Sequence, residues 1–233
     1  IKNGTIGTPQ IIGITSRDPA PPDINYLKTS GGLFLDMAIH DFDMACFLNE
    51  NPVESVYSTG SVFGDKQIEN LGDVDTAVTT LNFENGSIAT INNSRKAVYG
   101  YDQRVEVFGD LGMCATNNQL PDNHLIADKN GIHTPRPIGF FLERYADSYR
   151  SIIKEFISCL IEKREMPNGI NAGLNSLHIS LAAKKSLQEK RVVYDIRSSD
   201  EIETNLYTEL GVDEVNFKPL SWSKQKIDKK ING

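Results

Sequence analysis

Apolar and polar residues alternate over several short runs, and between those runs the apolar spacing lengthens to that of a helix. Thr8 to Ser16 (TPQIIGITS), rich in Ile and Thr, predicts a first strand, closed by a rigid loop at Pro19, Pro21 and Pro22. The loop ends at Ser30, Gly31 and Gly32. Leu33 to Leu48 then contains neither Pro nor Gly and is long enough for about four helical turns, with Ser30 as the expected cap and Asn49 to Pro52 as the stop. Further strands are predicted over Val53 to Phe63, Thr76 to Phe83, Ser87 to Asn93, Arg104 to Phe108 and Met113 to Thr116. Glu84, Asn85 and Gly86 make a tight connection between two of them, with Asn85 and Gly86 able to supply positive φ. A weaker strand pair flanks Asn130 and Gly131.

Phe141 to Glu162 carries its apolar residues on one helical face, among them Tyr145, Tyr149, Ile152, Ile153, Phe156 and Leu160. A second helix is predicted over Leu174 to Glu189 and a last strand over Val192 to Ile196. Beyond Ser198 the pattern decays into polar sequence ending in the lysine-rich stretch Lys224 to Lys230. Short turns between consecutive strands favour antiparallel pairing. Strand runs bounded by separate helices give an α+β fold, with one domain over 1–198 and an extension or tail over 199–233.

Composition narrows the function classes. The 233 residues are 39% hydrophobic and 24% charged, ordinary values for a globular chain. The net charge of -7 is dispersed, and 24 Lys plus Arg against 31 Asp plus Glu form no basic stripe, so nucleic acid is not an expected partner. Cys46, Cys114 and Cys159 show neither disulfide nor zinc spacing, which fits reduced thiols. With no long apolar run and no signal-peptide design, no membrane partner and a cytoplasmic location are expected. The sequence opens at Ile1 with a strand close behind, and is expected to begin inside a longer chain.

Candidate chemistry concentrates on the segment after Gly32. At about 100° per residue, His40 falls about 40° and Asp43 about 20° from Asp36, so the three share one stripe on an otherwise largely apolar helix. Such a helix is normally buried, and buried carboxylates need partners or a wet cleft. One reading is a pocket wall where a carboxylate orients an imidazole for general-base work. The other is structural, with Asp36 compensating the helix dipole and His40 a satisfied core residue. A metal site would need a further His or Cys ligand nearby, and none is evident. Arg17 and Asp18, where the first strand meets the proline loop, are candidate binding groups or a local ion pair. Tyr99, Gly100, Tyr101 and Asp102 form a bend that could lay a phenol over a ring or simply pack. Glu143 and Arg144 are a candidate ion pair.

Four blocks in this order carry a resemblance: Ser16 to Pro22 (SRDPAPP), Gly31 to Met44 (GGLFLDMAIHDFDM), Asn93 to Gly109 (NSRKAVYGYDQRVEVFG) and Phe140 to Tyr145 (FFLERY). Together they resemble bacterial-type inositol 2-dehydrogenases of the glucose-fructose oxidoreductase and inositol dehydrogenase family, over about residues 5 to 196. The resemblance implies a C-terminal domain of the glyceraldehyde-3-phosphate-dehydrogenase-like type, a broad, mostly antiparallel mixed sheet backed by helices. It implies oxidation of myo-inositol or a related polyol or sugar hydroxyl to a ketone, with NAD, or alternatively NADP, as cofactor. His40 would take the hydroxyl proton as hydride leaves for the nicotinamide, and Asp36 would hold substrate hydroxyls and orient the imidazole. Arg17, Asp18, Tyr99 and Tyr101 become candidate substrate contacts.

Two family features are absent: a GxGxxG turn after a strand, needed for close approach of a pyrophosphate, and the Glu-Lys-Pro motif. Both belong to the family's N-terminal Rossmann half, so no cofactor-binding residues are expected in this chain, which is expected to be inactive alone. A competing reading is a polyol-binding or oligomerisation domain without catalysis, and a third is a metal-dependent isomerase. A sheet covered on one face only would favour a homodimer or homotetramer through the other.

Overall fold

The strand-forming runs alternate buried and exposed positions, which commits them to a sheet with one covered face. The computed structural model describes residues 1–139, 141–194 and 196. The expected tail over 199–233 lies outside the described residues. The strands are β1 (Pro9–Arg17), β2 (Val53–Ser61), β3 (Thr76–Phe83), β4 (Ile88–Ser94), β5 (Asp102–Gly109), β6 (Gly112–Thr116), β7 (Ile126–Asp128), β8 (Gly131–His133) and β9 (Val193–Tyr194). Seven form one sheet in the order β6-β5-β1-β4-β3-β2-β9, and β7 with β8 forms a separate hairpin.

Sheet neighbours are antiparallel except β1 and β4, which run parallel from Ile11 beside Ile88 to Arg17 beside Ser94. The exception follows from the route of the chain. β1 crosses through helices to β2, a connection through α3 leads to β3, and a tight turn then returns the chain to β4 alongside β1. A crossover of this kind is what a parallel orientation requires.

The helical elements are α1 (Ile24–Leu27), a π-helical segment (Leu33–Ala38) running into α2 (Ile39–Leu48), α3 (Lys66–Asn70), α4 (Phe141–Arg144), α5 (Ala146–Glu162) and α6 (Ile170–Glu189). The predicted helix over 33–48 thus begins with π-helical geometry, and the one over 141–162 is interrupted at Tyr145. Ile12, Ile14, Val56, Leu81, Phe83, Ile91 and Val107 pack from the sheet against Phe34, Met37, Phe42 and Ala45, and against Ile179, Ala182 and Ala183 of α6. Full burial of each large apolar side chain stabilises by about 1.5–3 kcal/mol. Small residues on α6 (Ser176, Ser180, Ala182, Ala183 and Ser186) let it lie close to α2 and β2, where the Ser58 amide donates to Ser186 Oγ at 2.9 Å.

Among the described residues nothing covers the other sheet face, where Ile11, Tyr57, Val78, Ile88, Phe108 and Met113 are exposed. The apolar stripe of α5 is exposed too, at Ile152, Ile153, Phe156, Ile157, Leu160 and Ile161, so its spacing defines the helix without placing it in this core.

Ser30 is not the helix cap. Its Oγ accepts from the Gly32 amide at 3.3 Å and donates to the Leu27 carbonyl at 3.4 Å, while the Leu33 amide donates to Asp73 Oδ1, 40 residues away in sequence, at 3.0 Å. A side chain supplied by another loop satisfies the same orphan N–H group. Between β3 and β4 only Gly86 takes positive φ, 83°. Among the described residues no helix is long and apolar enough to cross a membrane.

Candidate functional site

Gly31 and Gly32, at φ 88° and 89°, turn the chain into the π-helical segment. On a regular α-helix, residues five apart point about 140° away from each other. A π-helical turn, which closes i to i+5, reduces that divergence. Asp36 and Asp41 accordingly both reach the end of β4. Arg95 Nη2 donates to Asp36 Oδ2 at 2.9 Å, and Asn93 Nδ2 donates to Asp41 Oδ2 at 2.7 Å. Asn93 and Arg95 are each 1% exposed and, two apart on an extended segment, face the same side. The Arg95 amide is fixed by the Asp75 carbonyl at 2.8 Å. Tyr26 on α1 donates its hydroxyl to Asp36 Oδ1 at 2.5 Å, so both carboxylate oxygens of Asp36 are held.

Asp18 follows β1 and is anchored by its own backbone, its amide donating to the Ser94 carbonyl at 2.8 Å and its carbonyl accepting from the Ala97 amide at 2.7 Å. Burial raises its carboxyl to about 6; Arg95 opposes the rise and Asp36 adds to it. Burial raises the Asp41 carboxyl to about 7 against hydrogen bonds from Asn93 and Ser16, with the charge of Asp18 adding. Tyr101 meets Tyr145 edge to face, with centroids 6.2 Å apart, and burial pushes both phenols up. The charges of Asp18 and Asp41 add to the rise at both phenols.

The expected stripe is not one buried line. Asp36 is tied to the sheet, His40 is exposed and has no side-chain partner among the described residues, and Asp43 accepts from Ser176 Oγ on α6 at 3.1 Å. Asp18 is brought to the Asp36 side, and Tyr101 packs on Tyr145. Arg17 and Tyr99 are not brought to that side: strand alternation puts Arg17 on the face opposite Ser16, where it donates to Asn92 Oδ1 at 2.6 and 3.1 Å and to the Tyr99 hydroxyl at 3.0 Å. Tyr99 in turn donates to Asp102 Oδ2 at 2.6 Å. Burial works to raise the Asp102 carboxyl, but bonds from Arg104, Tyr99 and Asn118 outweigh it and hold it at about 2. Arg144 stacks over the Tyr145 ring at 5.4 Å and forms no ion pair with Glu143 among the described residues.

Sequence reading missed Arg95, Asp41, Asn93 and Tyr26. The available signal was the strand-end pair Asn93 and Arg95, both polar and both on the side that β4 buries. Chemically, the cluster offers a fixed carboxylate acceptor at Asp36 and two carboxyls raised toward neutral pH, and the same helical run carries the exposed imidazole of His40. That suits a ligand with several hydroxyls. A cavity of about 580 Å³ lined by Ile1, Lys2, Phe47, Glu50 and Asn85 contains none of these groups, and convergent polar chemistry places the candidate site at the cluster instead. Among the described residues no group of three or more His, Cys, Asp or Glu side chains is placed to hold a metal ion. The glycine-led helix start at Leu33 is already capped by the Asp73 carboxylate, which would repel a pyrophosphate.

The described residues thus form an α+β domain with one helix-covered face and a polar cluster at the end of a parallel strand pair. Residues 1–115 match the GFO/IDH/MocA C-terminal domain, and the chain belongs to that family. It is 49% identical over 195 residues to a myo-inositol 2-dehydrogenase of Thermotoga maritima, covering 83% of this chain and 58% of the relative. The crystal structure of a probable dehydrogenase from Thermotoga maritima superposes with a TM-score of 0.80 at 48% identity, covering 83% of this chain and 58% of that one. A scyllo-inositol dehydrogenase from Lactobacillus casei, solved with bound NAD(H) and scyllo-inositol, gives a TM-score of 0.75 at 26% identity, covering 84% and 59%. The chain spans 55–58% of the length of three curated relatives that it matches.

Proposed function

We propose that this chain supplies the substrate site and general base for oxidation of a ring polyol, myo-inositol or a close relative, to the corresponding ketone. The observation that carries the reading is the Asp36 carboxylate, held at both oxygens by Arg95 and Tyr26 on the segment that carries the exposed His40 four residues later. His40 takes the proton from the hydroxyl being oxidised, and Asp36 accepts hydrogen bonds from ring hydroxyls and sets their position relative to the imidazole. Asp18 and Tyr101 contact the other hydroxyls. The inositol-acting relatives support the substrate class, and the NAD(H)-bound neighbour supports NAD as the hydride acceptor. NAD is bound by the part of the polypeptide corresponding to the share of the relatives that this chain does not span. The domain over 1–198 is the substrate domain, and copies of it associate through the uncovered sheet face.

The test is a substrate panel on the protein encoded by the complete open reading frame containing this chain. Inositol isomers, hexoses and linear polyols are assayed with NAD and NADP by formation of the reduced cofactor. Turnover highest with an inositol and NAD is expected. Turnover confined to non-polyol substrates would overturn the reading, as would loss of activity on metal chelation, which the isomerase alternative predicts.

A further inference from the structure

We infer that Arg95 is a positioning residue for this reaction: its buried guanidinium clamps Asp36 onto the end of β4 and thereby sets the carboxylate that faces the substrate. The inference rests on the polyol reading above. Arg95 is 1% exposed, yet its ion pair in the structure is with Asp36, whose side chain is 15% exposed. A buried cation at that position is costly to desolvate unless paired. Among the described residues its Nε has no hydrogen-bond partner, so Arg95 does not sit in a saturated internal network there. What it does achieve is geometric. The Asp75 carbonyl fixes its backbone, one nitrogen reaches Asp36 Oδ2, and Tyr26 holds the other carboxylate oxygen. Asn93, two residues earlier, does the same for Asp41 on the next turn.

The two rungs, Asn93 to Asp41 and Arg95 to Asp36, pin the π-helical segment where it joins α2. His40 lies between the two pinned carboxylates in sequence, so the clamp also fixes the backbone that carries the imidazole. Guanidinium stays protonated throughout the pH range of enzymes, and its planar donors hold a carboxylate in one orientation. Asp36 can then serve substrate only as an acceptor. Charged groups facing it are Arg95 beyond β4 and Asp18 beyond β1, with the Tyr26 hydroxyl on α1.

The experiment compares R95Q, R95K, D36N and D36N/R95Q in the complete protein, measuring kcat, KM for inositol and for NAD, and Tm. R95Q is expected to lower kcat by about 30-fold or more while KM for NAD stays within about twofold. R95K should recover at least about tenfold of that loss, because a cation is restored at the same place. D36N/R95Q should be no more than about threefold slower than D36N, since both changes break one clamp. The double variant should also melt above R95Q, as it no longer buries a lone carboxylate. R95Q turnover within threefold of wild type would overturn the inference, as would a double-variant loss equal to the product of the single losses. If the wild-type protein oxidises no polyol, the proposed function fails. The melting comparison still reports on the clamp: a double variant melting no higher than R95Q refutes it.

Discussion

Asp41 stands immediately after the candidate base, almost without water, and its carboxyl is raised by burial to about 7. An unfolded Asp ionises near 4, so between about pH 4 and pH 7 the native state keeps a proton that the unfolded state releases. Stability from this group is full below that window, falls as pH rises through it and is constant above about 7. D41N removes the titration while its amide oxygen can still accept from Asn93. Denaturant unfolding should therefore show D41N gaining on wild type by on the order of 3 kcal/mol from pH 4.5 to pH 8, and an identical difference at both pH values would show that Asp41 does not carry this titration. Asp102 has the opposite sign: held at about 2, its contribution is present above about 4 and is lost as pH falls toward 2. At this scale the sequence was only partly legible. Asp36 and His40 could be singled out from spacing, but Asp41 falls on the apolar side of a straight α-helix. Arg95 gives no local sign that it pairs with a residue 59 positions away.

The element that matters most is the segment from Gly31 to Leu48. Its lack of Pro and Gly after Gly32 was enough to predict a helix and its end. The π-helical start was not readable, because hydrophobic spacing over one and a half turns does not distinguish i→i+4 from i→i+5 closure. Nor could the cap be read locally, since Asp73 arrives from the loop after α3. A Cβ on Gly32 would lie 2.8 Å from Asp73 Oδ1, and its φ of 89° is strained for any other residue. Gly32→Ala should cost about 2 kcal/mol, and Asp73→Ala about 1 kcal/mol for loss of the cap, in equilibrium unfolding. Both act on one contact, so the double variant should cost less than the sum. Full additivity would mean that Asp73 does not cap the segment.

For the whole molecule, alternation along the runs and the short turns made an antiparallel-rich α+β sheet legible before any coordinates. The parallel β1 and β4 pair was not, because neighbours brought together by a crossover leave no trace in either strand. The stripe on α5 shows the reverse case: helical spacing predicts the element correctly, yet Ile153 and Phe156 stay exposed. The sheet face left open by the described residues presents Ile11, Val78, Ile88 and Phe108 among threonines and asparagines, and we propose that copies associate through it. Light scattering should find a dimer or tetramer, and Val78→Asp with Ile88→Lys should shift it to smaller species. An unchanged mass would place the association elsewhere.

We propose that His40, four residues after the clamped Asp36, accepts the proton from a ring hydroxyl. The most direct measurement is kcat for inositol-dependent NAD reduction by H40A in the complete protein, with KM for NAD measured alongside. A fall of about 100-fold or more with KM for NAD unchanged and the melting temperature preserved is predicted. Turnover by H40A close to that of wild type would contradict the account.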